Sequence, residues 1–267
     1  MASLFPRKRI GQHFLTDVAI AERIVQTSGV APGDCVVEIG PGLGALTRPL
    51  LAHAGRVLAI ELDERLPEHL MRVTAGLGEL QVERGDALQA DYRELAARLG
   101  GPLQIVANLP YYLSSQLLLH FLAQGDAIAR MTLMFQAEVA QRIAARPGTK
   151  AYGTLSVLCG VWLESEILFT VPPTAFHPPP KVMSAVIRLT RRAEPLTPVE
   201  DPALFSRVVH AAFGQRRKVL SNALKVLDPA PVAWLQRAGI DPERRGETLS
   251  IVEFAGLART LHQESTA

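Results

Sequence analysis

The chain predicts an α/β fold, a doubly wound and largely parallel sheet followed by a small all-helical domain, and three observations carry that prediction. Short apolar runs, Val36-Val37-Glu38-Ile39, Val57-Leu58-Ala59-Ile60 and Leu103-Gln104-Ile105-Val106-Ala107, alternate with helical stretches as in βαβ units. The first run breaks into Gly40-Pro41-Gly42-Leu43-Gly44-Ala45 before a helix from Leu46, a turn suited to close approach by a nucleotide. After Arg191 the strands stop, and capped helical segments fill the remainder.

At 267 residues and 48% hydrophobic content the chain can bury a full core and hold one large and one smaller domain. A net charge of +2 leaves any nucleic-acid surface to local clusters of cations. Cys35 and Cys159 stand far apart without metal-ligand spacing, which points to reduced thiols in a cytoplasmic protein and to no metal site. The basic start, Met1 to Arg9, leads into no long apolar stretch, and no apolar run reaches the roughly 18 residues of a membrane span. Export and membrane insertion are therefore not expected.

In order, Arg7-Lys8-Arg9 form a basic arm running into Gly11-Gln12-His13-Phe14-Leu15. Asp17 caps a helix with apolar Ile20, Ile24 and Val25 that ends near Gly29. The strand Val57 to Ile60 ends in Glu61-Leu62-Asp63, and a third strand near Leu80-Gln81-Val82 precedes Gly85-Asp86-Ala87-Leu88. Beyond Asn108 come a helix capped by Ser114, a strand Met131 to Phe135 and a helix from Gln136 toward Arg146. Strands Glu166 to Val171 and Ser184 to Leu189 flank a proline-stiffened loop that presents Phe176, His177 and Lys181. Arg191 to Pro198 reads as a linker, and Asp201-Pro202 opens a helix. A second helix is expected from Gln215-Arg216-Arg217-Lys218 through Lys225, a third from Pro231 to Ala238, and a last one behind the capping box Ser250-Ile251-Val252-Glu253. This divides the chain into a domain of residues 1–192 and a helical domain of residues 193–267.

The chemistry is expected at Asn108-Leu109-Pro110-Tyr111-Tyr112, at the carboxyl end of a buried parallel strand, where open α/β sheets bind ligands. Proline has no N–H and biases Leu109 toward an extended conformation, so the Leu109 carbonyl and the Asn108 amide oxygen form paired acceptors beside an aromatic ring. Such a group suits a flat base with an exocyclic amine, with Tyr111 stacking on one face and Phe176 clamping the other. Taken alone, Asn-x-Pro-Tyr is more often a strand ending in a turn; its neighbours decide otherwise. Glu61 is placed to accept from ribose hydroxyls, and Asp86 with the Ala87 N–H to meet an adenine. The glycine turn alone also satisfies a dinucleotide fingerprint, so it does not separate NAD from other adenosine cofactors.

Taken together, Gly11-Gln12-His13-Phe14-Leu15, Glu38-Ile39-Gly40-Pro41-Gly42, Ile60-Glu61-Leu62-Asp63, Gly85-Asp86-Ala87, Asn108-Leu109-Pro110-Tyr111, Phe176-His177-Pro178-Pro179-Pro180-Lys181-Val182 and Phe213-Gly214-Gln215-Arg216-Arg217-Lys218 resemble the rRNA adenine N6,N6-dimethyltransferases in order and spacing over nearly the whole chain. The likeness is greatest to the housekeeping branch, which modifies two adjacent adenines in the 3′-terminal hairpin of 16S rRNA. That resemblance implies a Rossmann-like fold and S-adenosylmethionine as cofactor, with Gln12, His13 and Leu15 near its methionine end, Gly40 and Gly42 under it, Glu61 on its ribose, and Asp86 and Ala87 on its adenine. Asn108 borders both cofactor and base. It also implies a cytoplasmic monomer acting in small-subunit biogenesis, with 16S rRNA or the immature small subunit held by Arg7, Lys8, Arg9, Lys181, Arg216, Arg217 and Lys218. His13 departs from the family, which usually has Asn there; imidazole still donates or accepts a hydrogen bond, so altered pH sensitivity is expected rather than lost binding. Three alternatives remain open at this point: a resistance-type methylase of large-subunit rRNA, an NAD-dependent oxidoreductase, and an assembly factor whose RNA binding matters more than its catalysis.

Overall fold

The computed structural model describes residues 13–266, and the chain divides into two compact units, each built from separate stretches of sequence. The first comprises Met1–Ala140 with Ser165–Arg191, the second Gln141–Glu164 with Arg192–Ala267.

The first unit is a seven-stranded sheet. Its strands are β2 (Cys35–Ile39), β3 (Arg56–Glu61), β4 (Glu79–Arg84), β5 (Leu103–Asn108), β6 (Ile128–Gln136), β7 (Leu163–Val171) and β9 (Ser184–Arg191), in the spatial order β4-β3-β2-β5-β6-β9-β7. The pairs β3–β4, β2–β3, β2–β5 and β5–β6 are parallel, and β6–β9 is antiparallel. Helices α1 (Val18–Ser28), α2 (Thr47–Ala54), α3 (Pro67–Val73), α4 (Tyr92–Leu99) and α5 (Ser114–Ala123) alternate with these strands. The order reverses between β2 and β5, the place where a doubly wound sheet opens a ligand crevice at its carboxyl edge. A second, two-stranded ladder joins β1 (Phe14–Leu15) to β8 (Phe176–His177), pairing Phe14 with His177 and Leu15 with Phe176.

Local chemistry sets many of these boundaries. Asp17 caps α1 by accepting from the Ile20 N–H at 3.1 Å, and Gly29 ends it in the left-handed conformation. Ser114, by contrast, is not a cap: Leu113 holds that position, and the Ser114 hydroxyl donates to the Tyr111 carbonyl at 3.0 Å. The Leu113 N–H closes a turn on the Pro110 carbonyl at 3.0 Å, and the serine hydroxyl braces the tyrosine loop instead.

The second unit is helical. It contains α7 (Thr154–Trp162), α8 (Pro202–Gly214), α9 (Leu220–Ala223), α10 (Pro231–Arg237) and α11 (Ile251–Thr266), while α6 (Ala137–Ile143) spans the junction with the sheet unit. Asp201 caps α8 through the Ala203 and Leu204 N–H groups, both at 2.9 Å, and Ser250 with Glu253 forms the expected reciprocal box at α11. Two expectations need correction. Residues 141–164 belong to this unit, so the division is not a single cut at 192: α7 buries Val157, Leu158, Cys159 and Val161 and packs on α8 and α11. The helix expected from Gln215 begins only at Leu220, because Gln215 to Lys218 form a turn closed by Lys218 N–H donating to the Gln215 carbonyl at 2.8 Å.

Candidate active site

The carboxyl ends of β2, β3, β4 and β5 and the loops beyond them line a single cleft in the sheet unit. Its floor is the glycine turn. Gly40 and Gly42 adopt φ of 61° and 59°, which residues with a Cβ rarely tolerate. A Cβ on Gly42 would lie 3.0 Å from the Phe14 ring, whereas at Gly40 nothing stands within 4 Å and the backbone faces open space.

Glu61 ends β3 and ties that strand to the turn. Its Oε2 accepts from the Gly42 N–H at 3.2 Å and its Oε1 from the Asp63 N–H at 2.7 Å. Burial raises its pKa while these N–H groups oppose the rise. Each carboxylate oxygen keeps further acceptor capacity for a ligand. Beyond β4, Asp86 Oδ1 accepts from the Leu88 N–H at 2.9 Å, and the fully buried Tyr92 hydroxyl donates to the Ala87 carbonyl at 3.0 Å, which locks the peptides between them.

Glu38 was not anticipated as a site residue. It is 1% exposed in β2, lines the cleft beside Glu61, and its Oε2 has no hydrogen-bond partner among the described residues. Burial pushes its carboxyl up to about 8; the Thr47 hydroxyl, close by but without hydrogen-bond geometry to Oε2, lowers it, and Glu61 raises it further. A signal was present, an acid inside an otherwise apolar strand one residue before the first glycine's neighbour Ile39.

At the end of β5, Asn108 donates from Nδ2 to the His13 carbonyl at 3.2 Å, and this bond turns Oδ1 to the opposite side of the amide. Leu109 is 1% exposed and lines the cleft, yet its carbonyl accepts no hydrogen bond from a described residue. The Tyr111 hydroxyl shares a 2.6 Å bond with Ser184 Oγ at the start of β9. Its ring stacks on His13, with centroids 5.6 Å apart and planes at 28°. The His13 ring is fixed in turn by Nδ1 donating to the Pro178 carbonyl at 2.7 Å.

The structure thus brings His13, Leu15, Gly40, Gly42, Glu61, Asp86, Ala87, Asn108, Leu109, Pro110 and Tyr111 to one cleft. It does not bring Phe176. That ring is 3% exposed, does not line the cleft, and lies in the core with Leu15, Val171 and Val186, because its pairing with Leu15 directs it inward. The expected clamp opposite Tyr111 is therefore corrected; the ring beside Tyr111 is His13. Lys181, Arg217 and Lys218 are exposed. Arg216 is committed in part to structure, since its Nη2 donates to the Lys150 and Tyr152 carbonyls at 2.9 and 3.2 Å. Arg7, Lys8, Arg9 and Gln12 lie outside the described residues.

A sheet of this order, with a glycine turn and strand-end acids at its switch point, belongs to a Rossmann-like S-adenosylmethionine-dependent methyltransferase. The chain is a member of the ribosomal RNA adenine dimethylase family, which matches residues 5–263. Among its relatives, ribosomal RNA small subunit methyltransferase A of Magnetococcus marinus is 52% identical over 257 residues, covering 96% of this chain and 92% of that one. The protein of the same name from Pelotomaculum thermopropionicum is 48% identical, covering 95% and 90%. Two solved structures share the fold. They are a dimethyladenosine transferase from Plasmodium falciparum (TM-score 0.76, 24% identity, 95% of this chain and 98% of that one) and the 23S rRNA methyltransferase ErmE (TM-score 0.71, 29% identity, 94% and 100%).

The residues present fit the cofactor. Gly40 leaves open space, Glu61 ends β3 with Asp86 just beyond the end of the neighbouring β4, and the buried Oε2 of Glu38 has no hydrogen-bond partner among the described residues.

Proposed function

We propose that this chain dimethylates N6 of two adjacent adenines in the 3′-terminal hairpin of small-subunit rRNA, acting on 16S rRNA or the immature small subunit as a cytoplasmic monomer. The observation that carries the reading is the pair of acceptors at the end of β5, Asn108 Oδ1 and the Leu109 carbonyl, beside Tyr111 and on the same cleft as the glycine turn. The identity of the curated relatives supports the small-subunit target over the large-subunit one.

S-adenosylmethionine supplies, when bound, a methyl group already activated on a sulfonium. Gly40, Gly42, Glu38, Glu61, Asp86 and Ala87 would hold it, with His13, Leu15 and Gln12 completing its site. The protein's remaining task is to aim the nitrogen. The adenine N6 lone pair is drawn into the ring, and accepting both N6 hydrogens on Asn108 Oδ1 and the Leu109 carbonyl orients the amine and stabilises positive charge as it develops there. The His13 carbonyl keeps the Asn108 amide from flipping, which would present a donor where an acceptor is needed. Tyr111, fixed by Ser184, offers a ring face for an extruded base. Neither acceptor is a strong base, so the displaced proton passes to water.

Labelled S-adenosylmethionine offered to unmethylated small-subunit rRNA and particles, with large-subunit rRNA and adenine-containing DNA as controls, tests the reading. Label in N6,N6-dimethyladenosine of the small-subunit substrate supports it; transfer to large-subunit rRNA alone overturns it.

A further inference from the structure

One exposed ring lines the cleft beyond the acceptors, and an exposed apolar and cationic run leads up to Ser184, the residue bonded to Tyr111. Tyr112 is 56% exposed and lines the cleft, although its neighbours Leu109 and Tyr111 are turned inward. Exposure of so large an apolar body next to a binding cleft is uncommon without a function. On the other flank, the bond between Tyr111 and Ser184 brings the start of β9 against the same loop. The run preceding Ser184 is Lys181-Val182-Met183, all three exposed, with Val182 and Met183 at 45% and 42%. The Met183 carbonyl is held by the Ala137 N–H at 2.9 Å, so this run is anchored at its base while its side chains face solvent.

A base extruded from RNA does not arrive alone. Its neighbours along the strand lose a stacking partner and expose their own faces, and the linking phosphate carries a charge. We propose that Tyr112, with Val182 and Met183, forms a second nucleotide subsite that stacks the base adjacent to the target adenine, while Lys181 meets the connecting phosphate. The inference rests on the rRNA reading above and deepens it: the subsite recognises a single-stranded dinucleotide step by stacking and charge, without reading base edges. Tyr112 is thus a specificity residue for unpaired RNA, separate in role from the acceptors Asn108 and Leu109. Charge complementarity and continuity with the catalytic cleft favour a nucleotide over an apolar protein segment as the occupant, because a protein ligand gives Lys181 no role.

The test is a double perturbation of the full chain on small-subunit rRNA particles. Tyr112→Ala and Tyr112→Phe are compared with wild type on RNA carrying either the natural nucleotide or an abasic one next to the target adenine. Tyr112→Ala is expected to raise KM for RNA roughly tenfold, the low part of the range for removing one stacked base, with kcat little changed and with Tyr112→Phe near wild type. The abasic substitution should raise KM in wild type by a similar factor and add little in Tyr112→Ala, since both abolish the same stacking. Costs that multiply, or a Tyr112→Ala variant with unchanged KM, overturn the subsite. S-adenosylhomocysteine affinity, measured by calorimetry, should be equal in all three proteins; a loss in Tyr112→Ala would place the residue in the cofactor site and overturn the proposal. Failure of wild type to methylate any RNA refutes the underlying functional reading instead, and so the two are distinguished.

Discussion

Glu38→Gln is expected to change how the stability of the free protein depends on pH, in a defined direction and by a defined amount. The unfolded chain releases the Glu38 proton near 4.5, whereas the fold retains it up to about 8. Between those values the unfolded state binds fewer protons than the native one, so stability falls as pH rises through that window and levels off above it. Integrating between 4.5 and 8 gives a cost of about 3 kcal/mol at pH 7 and about 1 kcal/mol at pH 5. Gln is neutral throughout and of similar volume, so it escapes this dependence. The desolvation of its own amide adds a constant offset, because Oε2 of Glu38 has no partner to bequeath. The discriminating quantity is therefore the slope of the difference: variant minus wild type should shift in favour of the variant by about 2 kcal/mol from pH 5 to pH 7. Urea unfolding of both proteins at pH 5, 6 and 7 without cofactor measures it, and groups common to both cancel. A stability difference that stays constant over this range would show that Glu38 already ionises within the fold, and the reasoning from its burial would be wrong.

Glu61→Ala should weaken S-adenosylmethionine binding by about 1–3 kcal/mol, the scale for removing bonds to a charged acceptor, and unchanged affinity by calorimetry in a folded variant would dismiss its ribose role. Asn108→Ala is expected to lower methyl transfer at least about a hundredfold while RNA affinity holds; single-turnover transfer near wild type at saturating cofactor would sink the aiming mechanism. Arg217→Ala with Lys218→Ala should leave cofactor affinity unaltered and flatten the plot of log RNA affinity against log salt by roughly 0.7 to 0.9 for each phosphate no longer neutralised. Arg216→Ala, which also releases the Lys150 and Tyr152 carbonyls, should in addition lower the melting temperature, so a slope change without destabilisation would show that those bonds matter little.

The readable parts of the sequence were those governed by neighbours in the chain. Asp17 and Gly29 bound α1, Asp201 before Pro202 opens α8, and Ser250 with Glu253 opens α11, because each cap acts over a few residues. The cleft was legible for the same reason, since strand ends and glycine turns announce themselves locally. The direction of Phe176 depends on pairing with Leu15, a partner far away in sequence, which no local pattern reveals. Helix α7 is hidden in the sequence since Leu155 through Trp162 is apolar on nearly every side, which erases the periodicity that marks a surface helix. The run Gln215 to Lys218 has good helix formers throughout, yet tertiary context turns it, with Arg216 reaching back to the segment at 150–152. Glu38 is legible as an acid inside an apolar strand, but its adjacency to the glycine motif masks that its side chain has a chemistry of its own.

The placement of α7 has a consequence for the birth of the molecule. Synthesis delivers this apolar helix first, then the strands β7, β8 and β9, and only afterwards α8 and α11, which cover it. For that interval the emerging chain carries α7, with Val157, Leu158, Cys159 and Val161 on it, without α8 and α11, two elements that pack on it in the finished fold. Sheet closure and helical assembly are interleaved in time, since the chain must return to the sheet and add β9 beside β6 before the helical unit can finish. A chain stopped at residue 192 would accordingly carry an apolar helix lacking two of its packing partners, and so be disposed to bind chaperones or other copies of itself.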